Sequence, residues 1–316
     1  MLNMILIDTE KLPKKNYFQI EARLSLLGNF KSYPNTSIDV LVDRCIDAEV
    51  ILVNKEIINE AHIKALPNLK YIVVIATGYD NVDIAAAKKH GVQVSNLPDY
   101  CGITVAQHTI ALLLELTNHI GMVSSSVKCG GWFETKAKIL ELSGLTLGVF
   151  GFGNIAKRVI NIALALGMNV LVCSSKGAKA KYNTDLTVKF VDKDELLQNS
   201  DVISLLCLVN DQTRDIIDKA ALQLMKPNCL LINTSRGALI NEDDLYEALS
   251  KRQITAAALD VLKEEPPKVD HQLFSLENCF ITPHNAWYSD ASLNCWVNQV
   301  ESCVIGYEKN QLIYLL

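Results

Sequence analysis

Leu145-Thr146-Leu147-Gly148-Val149-Phe150-Gly151-Phe152-Gly153-Asn154-Ile155-Ala156 reads as a buried strand, a glycine turn and the opening of a helix. The apolar run 145–150 has the length of a strand, and Gly-x-Gly-x-x-Ala follows it directly. Gly151 permits the tight turn, Gly153 lets a pyrophosphate approach the backbone, and Ala156 still allows close helix packing. Alone, such a hexapeptide fits an ordinary turn about as well. Its context decides between the two, because the helical segment 154–166 and further strand-like runs at 168–173, 188–190, 202–207, 230–233, 256–259 and 280–282 come next. That alternation predicts a doubly wound parallel sheet.

Upstream, shorter β-like runs at 4–7, 50–53, 71–76 and 92–95 alternate with amphipathic stretches, which predicts a second, smaller α/β unit. Thr104 and Gln107 have the spacing of a capping box, and 105–119 is apolar on nearly every face up to Gly121. A helix of that kind belongs between domains or between subunits. The tail after His284, with a helix over 291–305, returns to the first unit. The expected fold is therefore α/β with two Rossmann-like domains: a flavodoxin-like substrate domain of residues 1–100 plus 286–316, and a doubly wound dinucleotide-binding domain of residues 101–285 inserted within it.

Composition narrows the function. The chain has 316 residues, 49% hydrophobic and 21% charged, with a net charge of −5. Its Lys and Arg residues are scattered, so nucleic acid is not an expected partner. No run reaches the length of a membrane span, and 1–7 is too short and too soon acidic for a signal peptide. The nine cysteines include no Cys-x-x-Cys pair and read as small buried hydrophobes, which points to a reducing, cytoplasmic setting.

Three polar residues share the strand-end position of the glycine turn. Arg236 follows 230–233, Glu265 follows 256–261, and His284 follows 280–282 behind Pro283. In a parallel sheet those ends lie along the edge where open α/β folds bind ligands. Each has a plain alternative: Glu265 as part of an acidic surface loop, Arg236 as a helix-entry residue paired with Asp243 or Asp244, His284 as a structural histidine. Together they match the needs of hydride transfer, namely a bidentate cation for a carboxylate, a proton donor and acceptor, and an orienting carboxylate. Of the other histidines, His108 reads as a core residue, and His62, His90, His119 and His271 as surface residues. At the end of the second strand of the dinucleotide domain, where a carboxylate selects a free ribose diol, the chain has Ser174-Ser175-Lys176. That favours a 2′-phosphate, so NADP(H) is modestly preferred over NAD(H), unless Lys176, Lys179 and Lys181 are merely a solvated loop.

The segments Ala76-Thr77-Gly78-Tyr79-Asp80-Asn81-Val82-Asp83, Val105-Ala106-Gln107-His108-Thr109, the glycine turn, Asn233-Thr234-Ser235-Arg236-Gly237, Leu259-Asp260-Val261 through Glu265-Pro266, and Thr282-Pro283-His284 occur in this order. With them the chain resembles, nearly end to end, the D-isomer-specific 2-hydroxyacid dehydrogenases. Asn54-Lys55, the 76–79 loop and Trp287 are most similar to the glycerate dehydrogenase, or hydroxypyruvate reductase, branch. The resemblance implies His284 as acid/base, Glu265 as its partner and Arg236 as carboxylate anchor. Substrate contacts would come from Asn54, the amides of Ala76, Thr77 and Gly78, Arg236, His284 and Trp287. Cofactor contacts would come from Gly151, Gly153, Asn154, Ile155, Ser174, Ser175, Lys176, Cys207 and Thr234, with Asp260 at the nicotinamide carboxamide. Leu206 and Leu208 depart from the His and Pro usual in that loop of the family. A homodimer built partly on the helix after Thr104, with Trp132 near the interface, is also implied. No metal is expected. The alternative from another class is a dinucleotide-sensing corepressor on the same fold.

Overall fold

The computed structural model describes residues 1–10, 12–132, 138–175 and 187–316. The chain divides into two compact units, Met1–Cys101 with Tyr288–Leu316, and Gly102–Trp287. The first unit begins β1 (Leu2–Leu6), α1 (Lys14–Leu24), β2 (Gly28–Ser32), α2 (Leu41–Cys45) and β3 (Val50–Val53). It continues with α3 (Glu60–Ala65), β4 (Tyr71–Val74), α4 (Ile84–Lys89) and β5 (Gln93–Ser95). The second holds α5 (Gly102–Asn118), α6 (Ile120–Lys128), β6 (Thr146–Phe150), α7 (Asn154–Ala165), β7 (Asn169–Cys173) and β8 (Lys189–Phe190). After these come α8 (Lys193–Asn199), β9 (Val202–Leu205), α9 (Lys219–Leu224), β10 (Leu230–Asn233), α10 (Glu242–Ser250), β11 (Ala256–Leu259) and β12 (Cys279–Ile281). The chain then returns to the first unit as α11 (Asp290–Glu308).

The first sheet is parallel in the order β2-β1-β3-β4-β5, the flavodoxin-like arrangement. Alternate residues supply opposite faces. Ile5, Ile51 and Ile72 join one core, while Met4, Leu6, Leu52 and Val73 join another that α11 covers with Trp296, Val297, Val300 and Val304. Trp296 Nε1 also donates to the Ile75 carbonyl at 2.7 Å, which ties α11 to the end of β4. β2 is an addition to the sequence expectation. Its residues, Gly-Asn-Phe-Lys-Ser, carry little apolar signal because an edge strand needs only one buried face.

The second sheet is parallel in the order β12-β11-β10-β9-β6-β7-β8. Its order reverses between β6 and β9, so the carboxyl ends of these strands flank the switch point where such sheets bind ligands. Two cores sandwich it. Phe150, Ile203, Leu205 and Leu231 face α8, α9 and α10, and Val149, Val202 and Ile232 face α5 and α7.

The expected start and stop of α5 need correction. The helix begins at Gly102, so Thr104 lies inside it and is not its N-cap. It ends at Asn118, and Gly121 lies within α6; the break is at His119, whose φ of 53° is left-handed. His62 is buried rather than exposed, because its ring accepts from the Asn59 amide in a capping box at the start of α3. The cysteines are not uniformly buried: Cys45, Cys101, Cys229 and Cys303 are, whereas Cys129 is exposed.

Candidate active site

The glycine turn is built as its sequence requires. Gly151 has φ +100°, and a Cβ there would sit 2.4 Å from the Leu206 carbonyl oxygen, so only glycine fits between the ends of β6 and β9. Its amide donates to the Cys173 carbonyl at 2.8 Å, which closes β7 against the turn. At Gly153 a Cβ would meet nothing within 4 Å, so the ground in front of α7 is open. Gly153 and Asn154 are exposed and Ile155 half-buried, leaving first-turn amides of α7 for an anion, while Ala156 is fully buried against the core. This cradle fits a dinucleotide pyrophosphate. Ser174, half-buried, and Ser175, exposed, follow β7; Lys176 lies outside the described residues. Cys207 packs its Cα against Gly151, and burial pushes its thiol up to about 11. The Thr234 hydroxyl lies 2.8 Å from that of Thr109, whose own proton goes to the Val105 carbonyl, so Thr234 donates and ties the end of β10 to α5.

After β10, the buried Asn233 side chain closes the next turn from both sides. Its oxygen accepts from the Ser235 amide at 3.0 Å and its nitrogen donates to the Arg236 carbonyl at 2.8 Å. Arg236 is thus presented in extended conformation, with Nη1 donating to the Ser235 carbonyl at 2.9 Å. Gly237 follows because the 236–237 backbone passes directly against Leu262 and Lys263; a Cβ would lie 2.0 Å from the Leu262 carbonyl carbon.

Glu265 and His284 meet at this edge. Nδ1 of His284 is 2.6 Å from Glu265 Oε2, while the other carboxylate oxygen accepts from the Leu262 amide at 3.3 Å. Both side chains keep some exposure, 27% and 23%. His284 has φ 51°, a conformation that costs a non-glycine residue on the order of 1–3 kcal/mol and persists only where its surroundings impose it. Here the imposing contact is its amide, which donates to the Asp260 carbonyl at 2.7 Å. Trp287 returns from the same segment and donates through Nε1 to the His284 carbonyl at 3.0 Å.

Asp260, expected at the nicotinamide, has a side chain with no exposed surface. Oδ1 accepts from Thr282 at 2.6 Å and from the Asn285 amide at 3.0 Å, and Oδ2 from the Ala286 amide at 3.0 Å. Burial alone would raise this carboxyl, but hydrogen bonds from His108, Thr282 and the two amides hold it below its usual range. His108 is the residue that sequence reasoning missed. It is not a core histidine: it is half-buried, with Nε2 3.1 Å from Thr282 Oγ1 and 3.5 Å from Asp260 Oδ1. No local signal links it to Thr282, 174 positions away.

In the first unit, the amides of Asn54, Lys55 and Glu56 all point at the Asp8 carboxylate. Beyond β4, Thr77 is pinned by its hydroxyl to the Leu97 carbonyl at 2.9 Å and by its own carbonyl to Asn96 at 2.7 Å. Among the described residues, no acceptor meets the amides of Ala76, Thr77 or Gly78.

Such a site, on a doubly wound sheet with a glycine cradle, defines a nicotinamide-dinucleotide-dependent oxidoreductase. Residues 110–286 match the family model for the NAD binding domain of D-isomer specific 2-hydroxyacid dehydrogenases. The hydroxypyruvate reductase of Blautia hydrogenotrophica is 36% identical over 300 residues, covering 91% of this chain and 92% of that one. Among solved structures, an acyclic imino acid reductase in complex with NADPH and D-Arg superposes with a TM-score of 0.89 at 28% identity, covering 99% of both chains. The D-lactate dehydrogenase of Aquifex aeolicus, complexed with NAD and lactic acid, gives 0.88 at 29% identity, covering 98% of this chain and 96% of that one. The chain belongs to the D-isomer-specific 2-hydroxyacid dehydrogenase family and is an enzyme acting on CH–OH donors. Nothing in the fold, the site or these relatives favours the corepressor alternative.

Proposed function

We propose that this enzyme reduces a small 2-oxo acid of the hydroxypyruvate or glyoxylate type to the D-2-hydroxy acid. The observation that carries the reading is the 2.6 Å pairing of His284 with Glu265 on the sheet edge that also presents Arg236. The similarity to a hydroxypyruvate reductase across nine-tenths of both chains supports the substrate class. A nicotinamide dinucleotide held at the glycine turn would supply or take up the hydride. Arg236 binds the substrate carboxylate through its planar fork. With Nδ1 engaged by Glu265, the other ring nitrogen of His284 gives its proton to the carbonyl oxygen as charge develops there, and Glu265 stabilises the imidazolium. Oxidation reverses these steps. We assign the amides of Ala76 to Gly78, with Asn54 and Trp287, to the substrate, and Asp260 to holding the segment that carries His284.

We further infer a preference for NADP(H), because Ser174 and Ser175 stand where a carboxylate would repel a 2′-phosphate. A homodimer is supported by the exposed Ile120 and Met122 of α6 and by Trp132, 70% exposed. The test is consumption of NADPH and NADH with a panel of 2-oxo acids. Turnover with hydroxypyruvate or glyoxylate, more efficient with NADPH, is expected. No turnover with any 2-oxo acid would overturn the substrate class, and better efficiency with NADH would overturn the cofactor preference.

A further inference from the structure

Asp8 lies two residues beyond β1, and Asn54 is the first residue beyond β3. These two strands are neighbours at the point where the order of the first sheet reverses. Asp8 is 7% exposed as a residue, and its carboxylate accepts from three consecutive amides: Asn54 at 2.9 Å to each oxygen, Lys55 at 2.5 Å and Glu56 at 3.1 Å to Oδ2. Behind the loop, Asn81 Nδ2 donates to the Glu56 carbonyl at 2.9 Å and the Asn54 carbonyl at 3.4 Å. All three amides reach Oδ2 and that of Asn54 also reaches Oδ1, so an acceptor-only group suits them. An asparagine could keep one oxygen at the Oδ2 position but would turn N–H donors toward the Asn54 amide with its other half.

We propose that Asp8 is a positioning residue: its buried carboxylate holds the 54–56 loop in the shape that binds substrate. The proposal rests on the assignment of Asn54 to the substrate. Burial pushes the Asp8 carboxyl up to about 6, the three amides oppose that, and the charge of Glu56 adds to it. Among the described residues, the charged or titratable groups around it are Glu10 from its own segment and Lys55 and Glu56 from the loop after β3; the segment after β2 brings the uncharged Pro34 and Asn35. Because the acid is raised in the folded chain, its contribution to stability is present at low pH and lost as pH rises through about 6. The ionised form is therefore kept at a cost to the fold, as expected of a charge retained for the site rather than for stability.

The experiment measures two quantities at pH 8, where Asp8 is ionised, in the parent, Asp8→Ala and Asp8→Asn: hydrogen-exchange protection of the 54–56 amides, and KM for hydroxypyruvate with saturating dinucleotide. Asp8→Ala should lose the protection and raise KM about tenfold with kcat and dinucleotide affinity little changed, and Asp8→Asn should fall between it and the parent. Glu10→Gln, which leaves the Asp8 carboxylate in place, should keep the parent's protection and KM. Protection that Asp8→Ala retains overturns the proposal. Protection lost with KM unmoved overturns its link to the substrate, and Asn54→Ala with unchanged KM would then show that the functional assignment of the loop had failed. Exchange needs no turnover, so the two failures are distinguishable.

Discussion

Gly237→Ala probes the junction that holds the Arg236 and Glu265 segments together. An alanine Cβ would lie 2.0 Å from the Leu262 carbonyl carbon and 2.3 Å from both the Leu262 oxygen and the Lys263 nitrogen. All three are backbone atoms, so no side chain can swing away. Contacts under 3.0 Å are essentially never tolerated, so the two segments must part by about 1 Å. A misplacement of about 1 Å at a catalytic geometry costs on the order of 10²-fold in rate. Overpacking itself costs about 1–3 kcal/mol, or about 2–4 °C in Tm per kcal/mol for a domain of this size. Steady-state kinetics with hydroxypyruvate should therefore show kcat/KM down about 100-fold, beside a fall in Tm of several degrees. Dinucleotide binding, followed by fluorescence titration, should be kept, because the Gly151 turn lies beyond β9 in the sheet. A variant that matches the parent in kcat/KM would refute the view that this backbone contact sets the position of Arg236 against Glu265.

His284→Ala should lower turnover by about 10²- to 10⁴-fold while sparing dinucleotide affinity, and a variant with near-parental turnover would remove His284 as proton donor. Arg236→Lys keeps the charge but loses the fork; losing a hydrogen bond to a charged group costs about 1.5–3 kcal/mol, so kcat/KM should fall by tenfold or more in a substrate titration. Asp260→Asn should lower the denaturation midpoint at pH 7. A carboxyl held below its usual value contributes stability that is present above its unfolded pKa, about 3.9, and lost as pH falls through the lower folded value. The parent should accordingly lose that contribution only in acid, and a variant with an unchanged midpoint at pH 7 would show that the carboxylate does not brace the 282–286 segment.

Local chemistry made much of this protein legible from its residues. Buried strands such as Val50–Val53 and the 230–232 run of β10 announce themselves because a parallel strand covered on both faces is apolar nearly throughout. Gly151 and Gly153 stand out because a tight turn and an approaching anion exclude side chains, Arg236 and Glu265 because each comes after such a strand, and His284 because it comes after the apolar edge strand β12. Position at a strand end is a property of the chain, and parallel pairing then aligns those ends without further information. What joins residues far apart could be decided only by tertiary structure. The bond from Glu265 to His284, the engagement of His108 with Thr282 and Asp260, the gathering of the 54–56 amides on Asp8 and the pressure of Gly237 on Leu262 all cross loops. Even the left-handed backbone of His284 is imposed by the hydrogen bond its amide donates to the Asp260 carbonyl, just beyond the neighbouring strand. A residue's type and local pattern bound what it can do; its distance to a partner on another element depends on how strands and helices pack, and no local preference carries that quantity.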